Sequence, residues 1–162
     1  MKSILASALL AAGLLAGHAA RAQVPVQAAP DQTALLASAQ PQLAANKKLV
    51  YDFWREVFEG GHLDQADRYL TESYIQHNPN VASGRAAFKE FFARLRQPKP
   101  VEPRILAPLV AIVAEGDYVT LVFAREYAER GDPARKYTTT WFDLFRIENG
   151  KIAEHWDPAQ KP

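Results

Sequence analysis

The spacing of apolar residues changes once along this chain, from near four before Pro103 to two after it, and that change restricts the folds open to it. Upstream, Leu49, Val50, Phe53, Trp54, Val57 and Phe58 recur at helical spacing, with Lys47, Lys48, Asp52, Arg55, Glu56 and Glu59 on the other side, and Gly60-Gly61 stops the run. A short helix is predicted over about 64–70, then an extended piece at Tyr74-Ile75-Gln76-His77 broken by Asn78-Pro79-Asn80. A third helix is predicted from Arg85 to about Leu95, with Phe88, Phe91, Phe92 and Leu95 on one face and Pro98 and Pro100 beyond it. Downstream, 105–114, 118–127, 136–147 and 151–156 read as strands joined by Glu115-Gly116-Asp117, Arg130-Gly131-Asp132-Pro133 and Glu148-Asn149-Gly150. Turns this short force antiparallel neighbours. Helices first and a meander of strands afterwards define an α+β domain, its N-terminal helices packed on a curved antiparallel sheet.

Every Phe, Tyr and Trp lies between Tyr51 and Trp156, so the domain is expected over 44–158. Lys2 followed by the apolar run Ile4 to Leu15 and by Ala20-Arg21-Ala22 reads as a secretory signal peptide, 1–22, cleaved after Ala22. The run is too short to cross a bilayer, so no membrane span is expected and the mature chain is placed in the periplasm or outside the cell. Residues 23–43, rich in Ala, Gln and Pro, read as a mobile leader. A net charge of +1 gives no basic surface for nucleic acid. The absence of cysteine excludes disulfides and thiolate chemistry, leaving His, carboxylates, hydroxyls and Lys. His62, His77 and His155 lack metal-ligand spacing, and no glycine-rich phosphate loop or Gly-x-Ser-x-Gly elbow occurs, so no metal or cofactor is expected.

Three strings within this order of elements resemble the SnoaL-like branch of the nuclear transport factor 2-like superfamily. They are Tyr74-Ile75-Gln76-His77-Asn78-Pro79, Glu115-Gly116-Asp117, and the closing hairpin from Phe142 to Asp157. The resemblance covers about residues 46–158. It implies a cone-shaped α+β barrel, an apolar pocket open at one end, and commonly a homodimer formed through the outer sheet face. Members include polyketide cyclases that perform aldol condensation without a cofactor, dehydratases and isomerases, so the fold by itself assigns no reaction.

Strand alternation places Asp143 on one face with Trp141, Phe145 and Ile147, where its carboxyl is buried or lines a pocket. Desolvation there raises a carboxyl pKa toward neutrality, the condition for exchanging protons at working pH. By resemblance Asp143 is the general acid/base; a pairing with Arg125 or Arg146 would instead make it half of a structural ion pair. With Glu148 to Lys151 as the turn, Ile147 opposes Ile152 and Asp143 opposes about Trp156, which makes His155 a diagonal neighbour of Asp143. There His155 polarises a substrate carbonyl, holds the Asp, or is a core histidine. By resemblance His77 stands at the cone mouth, as a base, a hydrogen-bond donor or plain turn punctuation. Asn78 occupies the place where ketosteroid isomerase relatives carry a carboxylate base, so that chemistry is disfavoured.

Tyr51 and Trp54 line the pocket or belong to the core, and Asn78, Trp141, Phe145 and Trp156 complete the expected substrate-binding set. Val122, Phe123 and Ala124 stand where aldol-condensing relatives often carry a His. Two functions remain open. One is an exported lyase or isomerase that moves a proton on a small apolar carbonyl compound; the other is a periplasmic module that holds a hydrophobic ligand unchanged. A homodimer is expected, because Thr140, Phe142 and Leu144 present a second sheet face that the helices do not reach.

Overall fold

The computed structural model describes residues 23–161. The expected signal peptide, 1–22, lies outside the described residues. The helices are α1 (Pro41–Phe53), α2 (Ala66–Tyr69) and α3 (Arg85–Ala93), and the strands are β1 (Leu70–Gln76), β2 (Leu109–Glu115), β3 (Tyr118–Glu129), β4 (Asp132–Glu148) and β5 (Lys151–Trp156). The sheet order is β1-β5-β4-β3-β2, an open sheet with β1 and β2 at its edges. The helices cover its inner face, and Phe53, Trp54, Phe88, Leu121, Phe123 and Phe145 form part of the buried core between them. This is the α+β cone architecture expected, with one difference in the sheet. β2 to β5 pair antiparallel, but β1 joins β5 in parallel, so the sheet is mixed. No short-turn rule constrains β1, because α3 and the chain up to β2 separate it from the later strands.

Helix α1 begins at Pro41, where proline is favoured at the first helical turn, and runs on through a π-helical segment, Trp54–Glu59. The wider winding ends at Gly60, whose N–H donates to the Arg55 carbonyl at 3.0 Å. Gly61 has φ +75°, and a Cβ there would lie 2.5 Å from the Gln97 carbonyl oxygen, so only glycine fits where the chain turns away from the helix.

Residues 23–40, within the expected leader 23–43, lie along the domain. Ala29 N–H donates to the Leu109 carbonyl at 2.8 Å, and Val26 N–H to the Thr138 hydroxyl at 2.7 Å. Gln32 is buried; its amide nitrogen donates to the Ile105 carbonyl at 2.9 Å, and its amide oxygen accepts from Tyr51 Oη at 2.8 Å and Ile105 N–H at 3.0 Å. One polar side chain thus completes hydrogen bonding that the core at Tyr51 and Ile105 requires. Apolar periodicity does not reveal this kind of anchoring.

Candidate active site

The β4–β5 hairpin closes through Glu148-Asn149-Gly150-Lys151, with φ of 51° at Asn149 and 73° at Gly150, the left-handed pair favoured in two-residue hairpin turns. Ile147 opposes Ile152, as the sequence indicates, but the register then slips: Arg146 opposes Glu154, Phe145 opposes His155 and Leu144 opposes Trp156. Ala153 is the extra residue, a β-bulge. Without it His155 would oppose Leu144 and face outward. With it His155 joins the inner face occupied by Asp143 and Phe145, and Trp156 moves to the outer face.

The bulge brings His155 Nε2 to 3.0 Å from Asp143 Oδ1, both residues being buried. This corrects the pairing with Arg125 or Arg146: Arg146 binds Glu154 and Glu148, and Arg125 stacks on Trp141. The other ring nitrogen, Nδ1, lies 2.9 Å from Gln76 Oε1. That oxygen also accepts from Asn78 N–H at 3.0 Å, while Gln76 Nε2 donates to Tyr74 Oη at 3.2 Å, so both ends of the amide are assigned by their partners. Nδ1 must therefore carry a proton. Nε2 and Oδ1 then share one proton between them, either as imidazolium and carboxylate or as neutral imidazole and carboxylic acid.

Asp143 Oδ2 is buried and has no hydrogen-bond partner. Burial pushes the Asp143 carboxyl above the usual carboxylate range, the hydrogen bond and charge of His155 pull it back, and the nearby Asp157 charge adds to the rise. Tyr74 is also held protonated, by burial first and then by the charges of Asp157 and Asp143.

Asp143 and His155 open into a cavity of about 300 Å³ whose apolar wall includes Phe53, Trp54, Phe58, Phe88 and Phe145. Its polar lining includes Gln76, Asn78, Arg125 and Asp157. The π-helical segment helps aim the aromatic wall: Trp54 stacks on Phe58 at 4.3 Å and on Phe123 at 4.7 Å. Trp141 and Phe145 line the cavity, and so does Asn78, whose Nδ2 donates to Asp157 Oδ2 at 2.8 Å.

Three expected site residues lie elsewhere. Tyr51 is buried beside Gln32 in the core. His77 is exposed on the outer face, where it stacks on Trp156 at 4.7 Å and meets Glu154 at 2.7 Å. Strand alternation accounts for the outward His77, since Gln76 and His77 are neighbours and only one can face the cavity. Gln76, Tyr74 and Asp157 are site residues that the sequence reading passed over. The i, i+2 spacing of Tyr74 and Gln76 was the available signal for two of them.

Asp143, His155 and Asp157 each offer a ligand atom within 4.8 Å of the others, a grouping that histidine spacing does not reveal. Nε2 is bonded to Oδ1, and Asp157 to Asn78 Nδ2 and Ala159 N–H, while Asp143 Oδ2 is left without a partner. No helix among the described residues is long and apolar enough to cross a membrane.

Helices closing one face of a curved sheet over an apolar cavity define the nuclear transport factor 2-like class. Within it, residues 50–155 match the SnoaL-like domain, and the chain belongs to that family. Among solved structures it is similar to a candidate polyketide cyclase from Acidithiobacillus ferrooxidans, 17% identical, covering 75% of this chain and 89% of that one with a TM-score of 0.51. It is also similar to a candidate SnoaL-like polyketide cyclase from Jannaschia sp. CCS1, 17% identical, covering 75% and 91%, TM-score 0.51. No curated protein matches the chain in sequence.

Proposed function

We propose that this protein is an exported, cofactor-free lyase or isomerase of the SnoaL-like kind, acting on a small apolar carbonyl compound by proton transfer. The observation that carries this reading is the buried Asp143 carboxyl, with Oδ1 bonded to His155 and Oδ2 unpartnered beside an apolar cavity. In the carboxylate form Oδ2 takes a proton from the carbon next to the substrate carbonyl, and in the acid form it returns one. His155 holds the Asp and evens out its charge, and Gln76 sets the tautomer that lets it do so.

The test is exchange of the α-hydrogens of cavity-sized aryl ketones in deuterated water, followed by NMR. Wild type accelerates exchange, and Asp143→Asn lowers the rate by about two to four orders of magnitude. Equal exchange by both proteins would contradict the reading. A non-catalytic ligand-binding module is the second reading. It is favoured by Phe123, a core aromatic packed behind the cavity residue Trp54 on the strand where aldol-condensing relatives often carry a His; it expects ligand binding without any exchange.

The functional unit in this proposal is a homodimer joined through the outer sheet face. Val113 is 58% exposed and Phe142 48% exposed, with Ile75 and Tyr118 exposed on the same face. An apolar face of that kind favours association.

A further inference from the structure

The cavity lining holds one cation that the proton-transfer chemistry does not use, and a second lies beside a lining residue. Arg125 lies on the inner face of β3, opposite Thr139, and lines the cavity. Its guanidinium sits 5.1 Å from the centre of the Trp141 ring. Among the described residues it has no carboxylate partner, and the nearest acids in sequence are committed elsewhere. Glu126 binds Lys136 at 2.6 Å, and Glu129 binds Arg135 at 3.3 Å. On the helical side, the Arg96 guanidinium lies 4.9 Å from the ring of Phe58, another cavity residue, and its buried Nε has no partner.

Against these two cations the cavity offers little negative charge. Asp143 and His155 share one proton, so the pair is neutral overall in either form. Asp157 carries a charge but is held by Asn78 Nδ2 and Ala159 N–H. A guanidinium held over an aromatic ring keeps N–H groups available for the forked geometry that matches a carboxylate. At the mouth of a low-dielectric cavity such a cation draws in anions.

We infer that the substrate of this site is an anion, an apolar carbonyl compound bearing a carboxylate that Arg125 receives at the cavity mouth while the carbonyl end lies against Asp143. This rests on the proton-transfer reading for which end reacts, but not for which end binds Arg125. The spacing defines the molecule further. Arg125 stands opposite Thr139, four strand residues or roughly 13 Å of backbone from Asp143, and its guanidinium lies over Trp141 between them. The carboxylate is therefore remote from the reacting carbon, as in an ω-aryl-ω-oxo acid, and unlike a 2-oxo acid. Arg125 is a specificity-determining residue under this assignment.

The experiment is calorimetric titration of the purified protein with ω-benzoyl alkanoates having two to four methylenes between ketone and carboxylate, each set against its methyl ester. In wild type at least one acid binds about tenfold or more tightly than its ester, and added salt narrows the gap. Arg125→Gln brings acid and ester to within about twofold while the ester affinity stays near wild type. Arg125→Lys keeps part of the preference. Equal binding of acid and ester by wild type, a preference that survives in Arg125→Gln, or failure of every acid to bind would each overturn the inference. Asp143→Asn retains the acid preference even if the exchange experiment shows no catalysis, so the two failures are distinguishable.

Discussion

His155 Nε2 reaches Asp143 Oδ1 at 3.0 Å because one residue, Ala153, bulges out of the β4–β5 ladder and turns His155 from the outer face to the inner one. On the far side of the ring, Gln76 reaches Nδ1 from β1, the strand that pairs with β5 in parallel. The pair is therefore held from two neighbouring strands, and its protonation state is set by an amide that itself has fixed partners.

Gln76→Leu removes the acceptor from Nδ1. The expected result is a His155 ring free to move its proton to Nε2, seen as a change in the ¹⁵N shifts of the ring, together with slower α-hydrogen exchange. Gln76→Glu keeps an acceptor at Nδ1 and is expected to retain the Nδ1–H form. A ring unchanged in Gln76→Leu would show that Gln76 does not position it.

Asp143→Asn tests the burial of the carboxyl through stability. Because its folded pKa is raised, the folded chain holds this proton more tightly than the unfolded chain. The stability this adds is fully present below the ordinary value of 3.8 and is lost as pH rises through the raised value. The Asn variant has no such proton. Urea unfolding at a series of pH values should show wild-type stability falling relative to the variant as pH rises from 3.8 through the raised value, by at most about 1.4 kcal/mol per pH unit. A difference that stays flat or grows the other way would contradict the burial argument.

Legibility followed the periodicity. The helical face of α1, the antiparallel run from β2 to β5 and the inward Asp143 all follow from spacing, because period and burial are linked. The bulge at Ala153 leaves no mark in the pattern Lys151-Ile152-Ala153-Glu154, since an alanine fits either side of a strand. The parallel place of β1 was equally hidden, because a strand flanked by helices has no turn to fix its neighbour. His77 and Gln76 are adjacent, and the chemistry of the two side chains carries no signal of which one faces the cavity.

Gln32 links the N-terminal segment to the core. Gln32→Ala leaves Tyr51 Oη and the Ile105 backbone short of partners in a buried setting, and should cost about 1–3 kcal/mol in urea unfolding. Deleting 23–40 should cost at least as much. A deletion that leaves stability unchanged would show that the segment does not contribute to the core.

Phe142→Glu places a charge at the centre of the exposed outer face. Sedimentation equilibrium is expected to return a dimer for wild type at micromolar concentration and a monomer for the variant, with the fold unchanged by circular dichroism. A monomeric wild type would remove the homodimer from the proposal.

The most direct test of the shared proton is NMR of protein labelled with ¹³C at the Asp carboxyl and ¹⁵N in the His rings, titrated with acid and base. The expected result is an Asp143 carboxyl that ionises above 3.8 and a His155 Nδ1 that carries its proton across the titration. An Asp143 that ionises at or below that value, or a His155 that holds its proton on Nε2 alone, would contradict the acid–base assignment.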